Sequence, residues 1–303
     1  MSIGLLFSGQ GTQHPQMLGW LDGADPSMRQ MTRILGVSDW RQALEDQAWA
    51  TRNRHAQVLL TGTALAAWAQ LSHRLPKPAA IAGYSVGELA AFSAAGVFDA
   101  GVAIDLAIRR AEAMDRAAAQ VPGGLAAVSG LGHAAVDALC RETGVAVAIG
   151  VSADTVVLGG ATEALMAAGP RALERGAKWS LLKVGLASHT PAMRPAAEAF
   201  AGALAGLELQ PPATALFCNA DAERVLSTGQ AARALAIQIA QTVRWSQTLE
   251  AVHARRPACV LEIGPGSALA AMWNRRYAEV PARSCDEFRS AQAVIDWVAR
   301  ATC

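Results

Sequence analysis

Charge is scarce and balanced in this chain. Charged residues are 17% of 303, and Lys+Arg 26 against Asp+Glu 25 leaves a formal net charge of +1. That excludes the chain-wide basic field that draws nucleic acid, so a charged partner has to be met by a local patch. Long hydrophobic runs are also lacking. Mean hydropathy is high at +0.22, yet the longest stretch without a charged residue or histidine, Ala56 to Ser72, contains Gln57, Thr61, Gly62, Thr63, Gln70 and Ser72. It reads as a buried helix of a large core and not as a membrane span. The opening MSIGLLFSGQGTQ has neither the basic region nor the long apolar region of a secretory signal, and a cytoplasmic address is expected. The cysteines (Cys140, Cys218, Cys259, Cys285, Cys303) are odd in number, scattered and without CxxC spacing, which speaks against a disulfide scaffold or a structural zinc site. The histidines never fall at HxxxH or HExxH spacing. With no metal or resident cofactor expected, any chemistry rests on side chains.

What is present is a continuous globular sequence, 52% hydrophobic, without repeats or low-complexity tracts. Short apolar runs at Ile3 to Phe7, Ala79 to Ala82 and Cys259 to Ile263 read as buried parallel strands, each followed by a glycine turn and a helical pattern. That is the grammar of an α/β domain. One segment departs from it, running as strand Leu125 to Ser129, helix Ala134 to Glu142, strand Val145 to Ile149, turn Ser152 to Asp154, strand Thr155 to Leu158, helix Thr162 to Glu174 and strand Trp179 to Val184. This βαββαβ order is ferredoxin-like. Pro122-Gly123-Gly124 punctuates its start, and Gly185 to Pro191 its end. The expected organisation is a large α/β domain over 1–122 and 188–303, with a small domain inserted over 123–187.

The strongest local signal is Gly83-Tyr84-Ser85-Val86-Gly87, a GxSxG element between an apolar run and a helical stretch. A strand meeting a helix at a sharp turn presents the serine at the tip, facing a helix N-terminus. Chance supplies about 0.1 such pentapeptides at this glycine content, so the flanking pattern is what makes the signal useful. A serine nucleophile needs a base, and His189, in Ser188-His189-Thr190-Pro191 where the insertion returns to the large domain, is the best placed. Taken alone it reads as a solvent-facing loop histidine. His55, His73 and His253 lie on helical patterns beside charge, His14 follows the first loop, and His133 opens a helix of the insertion. The turn Gly9-Gln10-Gly11 is suited to cradling an anion through backbone amides, but it is neither a P-loop nor GxGxxG. Arg109 and Arg110 sit in an apolar helical stretch. Helical arginines ordinarily extend to solvent, and one turned inward needs a carboxylate or a carboxylate-bearing ligand.

Taken together these elements resemble the malonyl-CoA:acyl-carrier-protein acyltransferase family along nearly the whole chain. Its GQG turn matches Gly9-Gln10-Gly11, its GHSxGE elbow Gly83 to Glu88, and its arginine four residues before a methionine Arg110 with Met114. Ser188-His189, Phe217-Cys218-Asn219, Gln238 upstream of a Val-Arg-Trp segment, and Gly264-Pro265-Gly266 follow in the family's order. The resemblance implies an α/β-hydrolase-like domain with a parallel sheet carrying a ferredoxin-like insertion. It also implies a ping-pong transfer of malonyl from malonyl-CoA, through an ester on Ser85 with His189 as base, to the thiol of an acyl-carrier protein. Backbone N–H groups of Val86 and Gln10 would hold the oxyanion, Arg110 would bind the malonyl carboxylate, and a main-chain carbonyl near Gln238 would orient His189 in place of an acid.

One departure from the family is Tyr84, where the family has histidine. With the segment Pro281 to Ser290 it is similar to the epsilon subunit of bacterial malonate decarboxylase, which implies loading of that enzyme's own carrier subunit and contact with its other subunits. The other readings are malonyl transfer in fatty-acid or polyketide synthesis, a serine thioesterase or hydrolase, and an inactive scaffold that docks a carrier. Arg275-Arg276 and Arg255-Arg256 are the clusters expected to meet an acidic carrier. No nucleic acid or membrane partner is expected.

Overall fold

The computed structural model describes residues 2–302; Cys303 lies outside them. Among the described residues nine strands form two sheets: β1 (Ile3–Phe7), β2 (Pro78–Gly83), β3 (Gly123–Ser129), β4 (Ala146–Gly150), β5 (Thr155–Ala161), β6 (Lys178–Leu181), β7 (Leu216–Phe217), β8 (Cys259–Ile263) and β9 (Ala282–Ser284). The α-helices are α1 (Pro26–Leu35), α2 (Trp40–Ala43), α3 (Gln47–Ala50), α4 (Asn53–Ser72), α5 (Gly87–Ala94), α6 (Ala100–Gln120), α7 (His133–Thr143), α8 (Thr162–Glu174), α9 (Arg194–Ala205), α10 (Thr228–Ile237), α11 (Trp245–His253), α12 (Ala268–Arg276) and α13 (Ala291–Thr302). No helix among the described residues is long and apolar enough to cross a membrane.

The larger sheet is parallel throughout, in the order β7-β2-β1-β8-β9. β1 lies at its centre and is buried along its whole length, which is why it reads as an unbroken apolar run. Alternation along β1 feeds two cores. Ile3, Leu5 and Phe7 pack with residues of α1, α4, α5, α6 and α9, while Leu6 joins Trp245, Trp273 and Val260 on the other face. α4 is buried nearly all round from His55 to Ala67, the fate expected of the charge-poor stretch. The chain crosses from β1 to β2 on one side and reaches β8 on the other, so a crevice opens at the carboxyl ends of the strands. The loops after β1, β2, β7 and β8 all arrive there.

The second sheet is antiparallel, in the order β4-β5-β3-β6, and the element order across it is βαββαβ. α7 and α8 supply its own core with Val136, Leu139, Leu165 and Ala168. Its other face, through Leu125, Ala148, Ile149 and Val157, packs with Trp245 and Val243 of the larger part. A parallel bridge joins Ile149 to Val243, with Gly150 N–H donating to Val243 O (2.9 Å) and Val243 N–H to Ala148 O (2.9 Å).

Three expectations need correction. Gly123 and Gly124 do not punctuate; they pair with Ala161 and Gly160 as strand residues. β6 stops at Leu181, because Lys183 to Gly185 leave the sheet to line a cleft. β1 is not followed directly by a helix, since residues 8–25 form an extended loop before α1 starts on an Asp25 cap with Pro26 in its first turn.

Two glycines let β2 turn into α5. A Cβ on Gly83 would sit 2.2 Å from the Gly87 carbonyl, and one on Gly87 would sit 2.3 Å from Phe7 O. Neither obstacle is a movable side chain. Gly87→Ala is therefore expected to lower unfolding stability by about 3 kcal/mol, read as a reduced denaturation midpoint, whereas Gly229→Ala, with open space around it, is expected to leave the midpoint nearly unchanged.

Candidate active site

Ser85 follows β2 with a left-handed backbone, φ 54°, a conformation costly for a residue with a side chain. Asn219, after β7, holds it there. Its Oδ1 accepts from Ser85 N–H (2.9 Å) and its Nδ2 donates to Gly83 O (2.8 Å), while Tyr84 N–H donates to Phe7 O (2.9 Å). The turn is thus stitched to both neighbouring strands.

His189 is not a solvent-facing loop residue; it is 2% exposed. Its backbone is also left-handed, φ 63°, and its N–H donates to Ile239 O (2.8 Å). Nδ1 lies 2.7 Å from Gln238 O. A carbonyl only accepts, so Nδ1 carries the proton and Nε2 is left to accept from Ser85 Oγ at 2.8 Å. A main-chain carbonyl fixes the tautomer, the role an acid has in a triad. Burial first, and the positive Arg110 second, hold the imidazole down to about 3. It is neutral and ready to take a proton.

Arg110 turns inward, against the expectation for a helical arginine, and Arg109 beside it is exposed. Its Nη1 donates to Gln57 Oε1 (2.7 Å) and its Nη2 to Gln238 Oε1 (2.9 Å). Both acceptors are neutral amides. Burial brings the guanidinium down to about 10, opposed by Glu88, so it stays charged at neutral pH. Gln238 also donates from Nε2 to Ser85 O (2.8 Å) and to Glu88 Oε2 (2.7 Å). Glu88, 1% exposed, accepts at Oε1 from Asn219 N–H (2.5 Å). Burial pushes its carboxyl upward, against the pull of Asn219, Gln238 and Arg110, and with N–H donors on both oxygens the arrangement suits the ionised form.

Among the described residues, the backbone N–H groups of Val86 and Gln10 have no hydrogen-bond partner in the protein. The loop carrying Gln10 is pinned beneath by Ser8, whose Oγ donates to buried Glu262 (2.8 Å) and whose N–H donates to Ile263 O (3.0 Å). Beside Gln10 opens a cleft of about 430 Å³ lined by Gln13, Asn53, Asp115, Lys183 and Leu186. A polarised serine, a neutral base, free N–H donors and a buried cation together suit attack on an acyl carbonyl whose chain ends in an anion.

Of the residues singled out from the sequence, hydrogen bonds join Ser85, His189, Arg110 and Gln238 directly, Val86 follows the serine in the turn, and Gln10 is linked to Arg110 through Asn53 and Gln57. Sequence reasoning passed over Gln57, Glu88 and Asn219 as site residues. Gln57 carried a signal, a polar residue within an apolar helical run. The two arginine clusters fall in different places. Arg255-Arg256 precede β8, at the amino ends of the strands and away from Ser85, while Arg276, at the end of α12, donates to Ser246 Oγ (2.7 Å) at the start of α11. Arg276 is also paired with Glu250.

The Acyl transferase domain family matches residues 5–295. The chain belongs to that family. Within it, this acyl transferase domain is 28% identical over 306 residues to the malonyl CoA-acyl carrier protein transacylase of Haemophilus influenzae, covering 97% of this chain and 98% of the relative. It superposes on the malonyl CoA-acyl carrier protein transacylase of Coxiella burnetii with a TM-score of 0.91 at 26% identity, covering 100% of this chain and 98% of that one. A malonyl-transacylase solved in complex with its type II polyketide-synthase acyl-carrier protein gives 0.90 at 28% identity, covering 98% and 99%.

The buried neutral base makes a prediction independent of substrate. Labelling of Ser85 by a fluorophosphonate is expected to hold its rate from neutral pH down to about pH 5, because the unprotonated imidazole persists far below the ordinary histidine value of about 6.5. A rate that halves near 6.5 would contradict the geometry.

Proposed function

We propose that the protein transfers the malonyl group from malonyl-CoA to the thiol of an acyl-carrier protein through an ester on Ser85. Ser85 Oγ attacks the thioester carbonyl while His189 Nε2 takes its proton, and the Val86 and Gln10 N–H groups hold the oxyanion. The imidazolium returns the proton to the departing coenzyme A thiolate. In the second half the carrier thiol gives its proton to Nε2 and attacks the ester, and the imidazolium passes that proton to the departing Ser85 Oγ, which restores the free serine and the neutral base.

One observation carries this reading. Arg110 is fully buried within one amide of the nucleophile, and its two hydrogen bonds go to amide oxygens and not to a carboxylate. A desolvated guanidinium so placed favours a substrate that brings its own carboxylate, and malonyl does where acetyl does not. The full-length relatives named for malonyl transfer support the same activity.

For the acceptor, those relatives favour the acyl-carrier protein of fatty-acid or polyketide synthesis over the malonate decarboxylase carrier that the sequence first suggested. The segment Pro281 to Ser290 serves the fold internally, since Asp286 accepts from Gly266 N–H (2.7 Å) and meets His14 Nε2 (2.9 Å). It is a strut between loops and says little about a carrier. Tyr84, edge-on to Trp245 with 4.9 Å between ring centroids, is what keeps the decarboxylase carrier as a second reading.

Incubation with radiolabelled malonyl-CoA and acid quench is expected to leave label on the wild type and none on Ser85→Ala; label on neither would favour a scaffold, and free malonate released as fast as carrier is loaded would favour a hydrolase. Arg110→Ala is expected to cut malonyl transfer about 100-fold or more, as for loss of one partner of a desolvated pair, while acetyl transfer is kept or gained. Loading rates on a fatty-acid-synthesis carrier and on a malonate decarboxylase carrier with its own prosthetic group decide the acceptor.

A further inference from the structure

Two amide side chains face Arg110, and each has to present oxygen to it. A primary amide turned end for end places nitrogen where oxygen was at almost no steric cost, so its other partners decide which way it points. Gln57 is settled by Asn53, whose Oδ1 accepts from Gln57 Nε2 (2.7 Å). Gln238 is settled by Glu88 and Ser85 O, both of which accept from its Nε2. Glu88 is the stronger of these: both its oxygens receive N–H donors, Oε1 from Asn219 and Oε2 from Gln238, which is the arrangement of an acceptor-only carboxylate beside a buried cation. It is buried on α5, held at its other oxygen by Asn219 N–H, and has no part in the proton transfers above.

We propose that Glu88 is the positioning residue that sets acyl selectivity: it fixes the Gln238 amide with oxygen toward Arg110 and so holds the guanidinium ready for the malonyl carboxylate. The inference rests on the malonyl reading of the site. With the Gln238 amide reversed, its NH2 group would face the guanidinium, donor against donor, and Ser85 O would lose its side-chain donor. Arg110 would leave its present place, and recognition of the acyl terminus would suffer more than attack on the carbonyl, because the Ser85 to His189 bond uses the Gln238 main chain and not its amide.

Glu88→Gln keeps the shape and removes the acceptor-only character. It is expected to raise the KM for malonyl-CoA about tenfold or more, as for loss of a hydrogen bond to a charged group, while kcat/KM for acetyl-CoA, measured by label on Ser85, stays within about threefold. Glu88→Asp keeps the charge one methylene short and is expected to fall between, with acetyl labelling again retained. Should Glu88→Gln not fold, Glu88→Asp carries the same comparison. An equal loss with both thioesters would make Glu88 merely structural, and an unchanged malonyl KM would overturn the proposal outright. Failure of the wild type to take label from malonyl-CoA would overturn the malonyl reading itself, and Glu88's role with it, a result distinct from any difference among variants.

Discussion

Gln238 bonds through its side chain to Arg110, Glu88 and Ser85 O, and through its main-chain carbonyl to His189. A residue with so many assigned directions has one orientation, and the cation, the nucleophile's backbone and the base are all measured from it. Each of these groups is out of water, where a polar group left unpaired costs about 1–3 kcal/mol. The junction is therefore also what makes it tolerable to bury a guanidinium, a carboxylate and an imidazole side by side. The same crowding tunes the chemistry: Arg110 lowers His189, Glu88 steadies Arg110, and the base stays neutral.

Strain is placed where it is useful. Ser85 and His189 both adopt left-handed backbone, and each is held by a bond from a distant element, Asn219 for the serine and Ile239 for the histidine. Such conformations persist because the surroundings over-determine them. The two side chains meet at 2.8 Å because two unrelated segments are bent toward one point.

Much of this was legible before any coordinate. The central strands showed as apolar runs closed by glycine, and the βαββαβ order showed in the alternation of periods between residues 123 and 184. The end of β6 did not show, because Leu182 and Val184 continue the strand pattern while their path is set by the cleft. Arg109 and Arg110 are the same residue type, and which one points inward depends on about 100° of helix rotation and on Gln57 and Gln238, far away in the chain. For the same reason His189 looked like an ordinary loop histidine by itself. Gln10 and Val86 offer backbone N–H groups, which no side-chain chemistry advertises: the glycine turn hinted at Gln10, and only the resemblance singled out Val86. Arg255-Arg256 reflect a missing coordinate of another kind: composition does not say at which end of a parallel strand a residue falls.

The bridge between Ile149 and Val243 has a mechanical meaning. The antiparallel sheet hangs on Val243, the imidazole hangs on Gln238 and Ile239, and the serine carbonyl hangs on Gln238 as well. All three are thus gauged from one short stretch of chain, as parts of an instrument are set from a single datum. The cleft wall at Lys183 to Leu186 lies outside that stretch, so a change in the width of the cleft does not by itself alter the spacing between nucleophile and base. Width for the guest and accuracy for the reaction are held by separate tolerances.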